Sequence, residues 1–287
     1  RLTKSLVENL RREICKPIRA KIRGLVTRIQ KIENDEQKLK SYIEHGKWGE
    51  LLKSVIGNFK KGMTFVEVNE WQSGTTVKIS LDPSLDLVSN MRKFFAHSAK
   101  GKRGIVITKE RLEKTIQEKM ALEELLYFLE EAKTQEELEI LSSEIHLTKR
   151  LEFHPDKKNK KNPVTRGKTS SNYLEFKSPS GFNVFVGRNS LGNDFILRTK
   201  VKPEDIWFHV NNAPGSHVAM ISRGNENFPD QDIYFGATLA AKHSKLGKAG
   251  KIEVIYTMVK NVSRIKGGFL GQVKIGKHNT VVVDLGK

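Results

Sequence analysis

The chain has 287 residues, 37% of them hydrophobic, with 51 Lys and Arg against 33 Asp and Glu, a formal charge of +18. That hydrophobic share supports a core and excludes wholesale disorder, while the length allows one large domain or two ordinary ones. The positive excess argues against a neutral metabolic enzyme and for a polyanionic partner, nucleic acid or an anionic membrane surface.

The first predicted element is a long helix. From Leu2 to Ile43 the apolar residues Leu2, Leu6, Leu10, Ile14, Ile18, Ile22, Leu25, Ile29, Ile32, Leu39 and Ile43 recur mostly in threes and fours. So narrow a stripe suits a coiled-coil seam. Pro17 lies inside it and is expected to kink or break the helix. A second stripe runs Leu112, Ile116, Met120, Leu122, Leu126 and Leu129. Thr134 and Glu137 then form a capping box for a third helix carrying Leu138, Leu141 and Ile145. Between the stripes, "GTTVKISLDP" alternates Val77, Ile79 and Leu81 and reads as a strand ended by Pro83. These features predict an antiparallel helical hairpin over residues 1–150, with a small insertion from about Gly46 to Gly104 at its tip. The insertion holds the basic stretches "NFKKGM" and "HSAKGKRG".

Residues 151–171 read as a flexible basic linker, dominated by Lys, Asn, Ser, Gly and Pro. His154 and Asp156 within it are too few ligands for a metal site. Beyond it, "YLEF" and "GFNVFVG" predict two strands joined by the turn "KSPSG". "IWFHV" and "HVAMI" predict two more. "DIYFGATLAAKHSKLG" reads as a helix stopped at Gly247, and "KIEVIYTMVKNV", "GQVKI" and "TVVVDL" are rich in β-formers. The fold class is therefore α+β: a helical hairpin, then a mixed domain over 172–287. Residues 151–287 carry 22 basic and 11 acidic side chains, against 29 and 22 in residues 1–150, so the second half is the better polyanion-binding candidate.

The sole cysteine, Cys15, permits no intramolecular disulfide and fits a reducing, cytoplasmic setting. No apolar run of about 18 residues predicts a membrane span. The basic start has no apolar h-region and does not read as a signal peptide. Because the chain begins with Arg1, it is expected to be a fragment or a shortened homologue.

The stretch "DIWFHVNNAPGSHVAM" concentrates Asp205, Trp207, His209 and His217 around Pro214 and Gly215. It predicts a hairpin with Gly215 at positive φ in a type II turn. Trp207 and His209 share one strand face; whether His217 joins them depends on register. Two histidines without cysteines fall short of a zinc site. Asp205 and His209 could pair, but no nucleophile motif or Gly-rich phosphate loop accompanies them. We expect no metal, no cofactor and no catalytic residue. One reading packs the rings in the core. Another exposes Trp207, His209 and His217 beside Arg188, Lys260, Arg264 and Lys266, giving the stacking rings in a basic field that RNA-binding surfaces use.

The residues resemble the NFACT family, whose bacterial members include RqcH and the FbpA-type fibronectin-binding proteins. The matches to its RNA-binding module are Gly181-Phe182, Val186-Gly187-Arg188-Asn189, Asn193-Asp194, Asp205-Ile206-Trp207-Phe208-His209 and Pro214-Gly215-Ser216-His217-Val218. Ala240-Ala241, Ser244-Lys245, Tyr256-Thr257 and Val259-Lys260 follow. Trp48-Gly49-Glu50-Leu51-Leu52, Lys60-Lys61-Gly62-Met63, Val66-Glu67-Val68 and Leu81-Asp82-Pro83 resemble the tip insertion of its coiled-coil region. Ser190, His243, Ile255 and Leu270 depart from the family pattern. The resemblance implies a chain lacking the family's N-terminal domain. It implies a ribosome-associated quality control factor that binds obstructed large ribosomal subunits, through rRNA and the stalk base, and tRNA, in support of alanine tailing. The alternative is a surface adhesin for fibronectin. The matched positions add Asn189, Asp194, Gly215 and Lys245 to the candidate RNA-binding set.

Overall fold

The computed structural model describes residues 2–57, 59–70, 74–142, 172–224, 227–248, 250–265 and 268–286. The 151–171 linker, with His154 and Asp156, lies outside the described residues, as do Ile145 and Lys266. The chain divides into two compact units, residues 1–22 with 118–287, and residues 23–117.

In the second unit, helix α1 (Leu2–Leu51) and helix α2 (Leu87–Glu131) run antiparallel. Ser98 Oγ donates to Ile43 O at 3.2 Å, and Leu39 meets Gly101 and Gly104. Leu25 and Ile32 of the expected stripe are buried. The insertion is shorter than the sequence suggested, because both helices continue past the glycines that looked like boundaries. A Cβ at Gly46 would lie 2.7 Å from Ser98 Oγ, and one at Gly101 would lie 2.7 Å from Leu39 O. These glycines let two helix backbones approach; they do not end them. The tip proper is a 3₁₀ turn (Leu52–Val55) and a hairpin of β1 (Phe65–Glu70) and β2 (Thr75–Ser80), which pairs Val66 with Ile79 and Val68 with Val77. Strand β1 was not anticipated. Its Val66 and Val68 join Leu52, Ile79, Leu81, Leu87 and Phe94 in a small core.

In the first unit the hairpin base follows the same antiparallel order. Arg19 meets Glu130 at 2.8 Å, and Lys21 meets Glu118 at 2.8 Å. Helix α1 runs through Pro17 without a break. Pro17 is exposed, while Cys15 and Ile18 on the turns beside it are buried, so packing offsets the missing backbone hydrogen bond. On α2 the buried set is Leu122, Leu125, Phe128 and Leu129. Met120 is 51% exposed, which corrects its place in the stripe. The capping box forms as expected. Glu137 N donates to Thr134 Oγ1 at 3.2 Å, Thr134 N donates to Glu137 Oε2 at 3.3 Å, and residues 135–142 are helical (α3).

Residues 172–286 build a six-stranded sheet in the order β10-β7-β5-β6-β4-β3, antiparallel throughout. The strands are β3 (Tyr173–Lys177), β4 (Asn183–Gly187), β5 (Ile206–Val210), β6 (Val218–Met220), β7 (Lys251–Met258) and β10 (Asn279–Asp284). A separate hairpin joins β8 (Val262–Arg264) to β9 (Val273–Ile275). Strand alternation sorts side chains to two faces. Val184, Val186, Phe208, Val210, Val218, Met220, Ile252 and Val254 pack with Ala237, Ala240 and Ala241 of helix α5 (Asp230–Lys242). Helix α4 (Ser190–Thr199) packs on β4 and β3. The sequence reading missed α4, whose buried positions include the polar Asn193 and Asp194. Helix α5 ends at Lys242, ahead of Gly247. Ser216 N takes the His243 carbonyl at 2.8 Å, which draws the chain out of the helix and into a bridge between Gly215 and Ser244.

Candidate nucleic-acid interface

The register of β5 and β6 decides the fate of the Trp-His stretch. Trp207 pairs with Ala219 and Phe208 with Val218, so His217 falls on the Trp207 face. Trp207 stacks on His209 at 5.6 Å with planes 9° apart, and His217 sits edge-on to both, at 5.1 Å and 5.4 Å. These are not exposed stacking rings. Trp207 is 0% and His217 2% exposed. Trp207 Nε1, His209 Nε2 and His217 Nδ1 are buried with no hydrogen-bond partner. Burial holds the His217 imidazole well below its ordinary value, and a charge on His209 would lower it further. Burial also lowers His209, against hydrogen bonds to the Val210 and Gly215 backbone that favour its charged form.

Asn193 anchors this face. It is 0% exposed, its Oδ1 accepts from His217 N at 2.9 Å, and its Nδ2 donates to Glu124 Oε1 at 2.8 Å. A Cβ at Gly187 would lie 2.0 Å from Asn193 Oδ1, so that position needs glycine. Asn189 is the N-cap of α4, its Oδ1 accepting from Gly192 N at 2.7 Å. Asp194 is ion-paired twice, with Arg198 at 2.7 Å and Arg264 at 2.8 Å. Arg188 reaches Glu137 of the capping box at 2.7 Å. These candidates therefore have intramolecular duties.

Gly215 does not adopt positive φ; Asn212 does, at 53°. The expected turn conformation is corrected, and the requirement for glycine has another cause. A Cβ at Gly215 would lie 2.9 Å from Ser244 Cβ and 3.2 Å from Val210 Cγ1, because the loop is pressed against the end of α5.

Lys245 and Lys260 are exposed. Lys245 N bonds to Pro214 O at 2.9 Å, and Lys260 N bonds to Pro203 O at 3.1 Å. The first contact lies past the end of β5 and the second before its start. The two lysines are thus anchored beyond opposite ends of that strand. Arg188, Asn189, Gly215 and Lys245 gather at the Lys245 end, and Arg264 is brought to Asp194 by the β8–β9 hairpin. Sequence reasoning missed the half-buried rings of Tyr173, Phe185 and Phe195. Tyr173 and Phe185 share a sheet face with Trp207 through the strand pairings, which the sequence does not give.

Among the described residues, no group of three or more His, Cys, Asp or Glu could hold a metal ion. No helix there is long and apolar enough to cross a membrane.

Comparison with known proteins places these features. The family model for the NFACT N-terminal and middle domains matches residues 1–163, and that for the NFACT protein RNA binding domain matches residues 172–276. Residues 1–163 match a model that covers the N-terminal and middle domains together, against the expectation of a chain with no match to the N-terminal part of the family. The Rqc2 homolog RqcH of Bacillus subtilis is 27% identical over 262 residues, covering 89% of this chain and 44% of that protein. RqcH of Streptococcus pneumoniae is 26% identical over 235 residues, covering 82% of this chain and 41% of that protein. The chain thus spans less than half the length of these relatives. The solved C-terminal part of the fibronectin/fibrinogen-binding protein from Streptococcus suis shares the fold, with a TM-score of 0.56 at 20% identity over 94% of this chain and 95% of that one. With matches over both halves of its sequence, the chain belongs to the NFACT family.

Proposed function

We propose that the chain is an RNA- and ribosome-binding factor of the ribosome quality control type, active in the cytoplasm. It engages obstructed large ribosomal subunits, through rRNA and the stalk base, together with tRNA, in support of C-terminal alanine tailing. The observation that carries this reading is the match of residues 172–276 to the NFACT RNA binding domain. The RqcH relatives and the formal charge of +18 support it. The chain acts by binding, not by catalysis: peptide transfer falls to the ribosome's own centre, and no cofactor is required.

The test is salt-titrated binding of the purified chain to large ribosomal subunits, to tRNA and to fibronectin. Salt-sensitive association with subunits or tRNA is the expected result, because displacing condensed counterions makes phosphate binding fall with salt. Binding to fibronectin alone would replace this reading with the adhesin one, which the name of the Streptococcus suis relative raises for that protein.

A further inference from the structure

Strand β3 is an edge of the six-stranded sheet, and among the described residues no further strand covers its outer side. Tyr173 on β3 and Phe185 on β4 meet edge to face at 5.7 Å. Phe195 of α4 stacks on Tyr173 with planes 11° apart. Lys200 Nζ lies over both strand rings, 4.8 Å from the centre of Tyr173 and 5.0 Å from that of Phe185. All four residues are half-buried, and no acid among the described residues pairs with Lys200. Two ring faces are thus covered by one flexible cationic side chain. Glu175, exposed and on the same sheet face, disfavours a phosphate along the strand and leaves the Lys200 side for one.

We propose that Tyr173, Phe185 and Lys200 form a stacking subsite for an unpaired base of single-stranded RNA. The inference rests on the RNA-binding reading and gives it a ligand class. A base takes the place of the Lys200 side chain over the rings. The displaced ammonium then meets the phosphate attached to that base. Aromatic faces accept any base, so the subsite discriminates unpaired from paired RNA without reading sequence. Trp207 and His217 cannot do this, because they are buried on the same face.

The experiment compares three ligands on the full chain: an oligouridylate, an abasic oligoribonucleotide of equal length, and inorganic polyphosphate. The wild type is expected to bind oligouridylate more tightly than either of the others. Tyr173→Leu should weaken oligouridylate about tenfold and leave polyphosphate unchanged, since one stacked base contributes on that order. Tyr173→Phe, which keeps the ring, should bind as the wild type, and Lys200→Gln should weaken oligouridylate. Equal wild-type affinity for the oligouridylate and the abasic strand would overturn the subsite whether or not the leucine variant folds. So would an unchanged oligouridylate affinity in Tyr173→Leu. No binding of any RNA by the wild type would bring down the RNA-binding reading itself, a separate result.

Discussion

At the scale of single residues, Gly215 and the Trp207-side histidines show how a matched position can serve the fold. A side chain at Gly215 would press on Ser244 and Val210. Gly215→Val should therefore cost about 1–3 kcal/mol, the usual penalty for overpacking, seen as a lower denaturation midpoint in urea. His209 and His217 are depressed by burial, so the folded chain keeps them neutral. Above about pH 6.5 the unfolded chain holds them neutral as well, and they give no pH dependence. As the pH falls below that value the unfolded chain takes up protons that the folded chain refuses, so stability falls with it. Thermal midpoints measured from pH 8 to pH 5 should drop towards acid, and His217→Phe should flatten the drop. His45 and His243, also displaced downward, account for part of the slope that remains.

At the scale of elements, the helical hairpin contains glycines of two kinds. Gly24 in α1 has nothing within 4 Å of where its Cβ would be, whereas Gly101 in α2 faces the Leu39 carbonyl at 2.7 Å. Gly24→Ala should stabilise by about 0.5–1 kcal/mol, because alanine loses less backbone entropy in a helix. Gly101→Val should destabilise by about 1–3 kcal/mol by forcing two backbones apart. Urea titrations of the two variants should move in opposite directions; a gain for both would contradict the close approach. From sequence the two glycines look alike, because the difference is made by the partner helix.

For the molecule as a whole, the charge of +18 acts through its placement. Arg264 and Arg198 are held by Asp194, and Arg188 by Glu137, whereas Lys245 and Lys260 are exposed and have no such acid among the described residues. If both lysines contact phosphates, each replacement by Ala should lower the slope of log affinity against log salt by about 0.7 to 0.9. Arg264→Ala should lower it less, because that charge is already partly neutralised. Slopes from RNA titrations between about 50 and 200 mM salt decide this. An unchanged slope in the Lys245→Ala and Lys260→Ala variants would move the contact surface elsewhere.

The sequence by itself determined the elements that depend on near neighbours. The α1 stripe, the Thr134–Glu137 box and the alternation of Trp207, Phe208 and His209 are local patterns, fixed by helix and strand periods. The motifs on them were enough to point to the family. Tertiary structure alone decided which residues are surface. The register of β5 on β6 turned His217 inward beside Trp207, and Asn193 closed over it. Asn189 and Asp194 became a cap and an ion-pair centre once α4 formed, a helix the local pattern had not revealed. Tyr173 and Phe185 became neighbours of Lys200 through strand pairing and the return of α4. Burial and contact between distant segments depend on how elements pack, and residue spacing along the chain does not encode that directly.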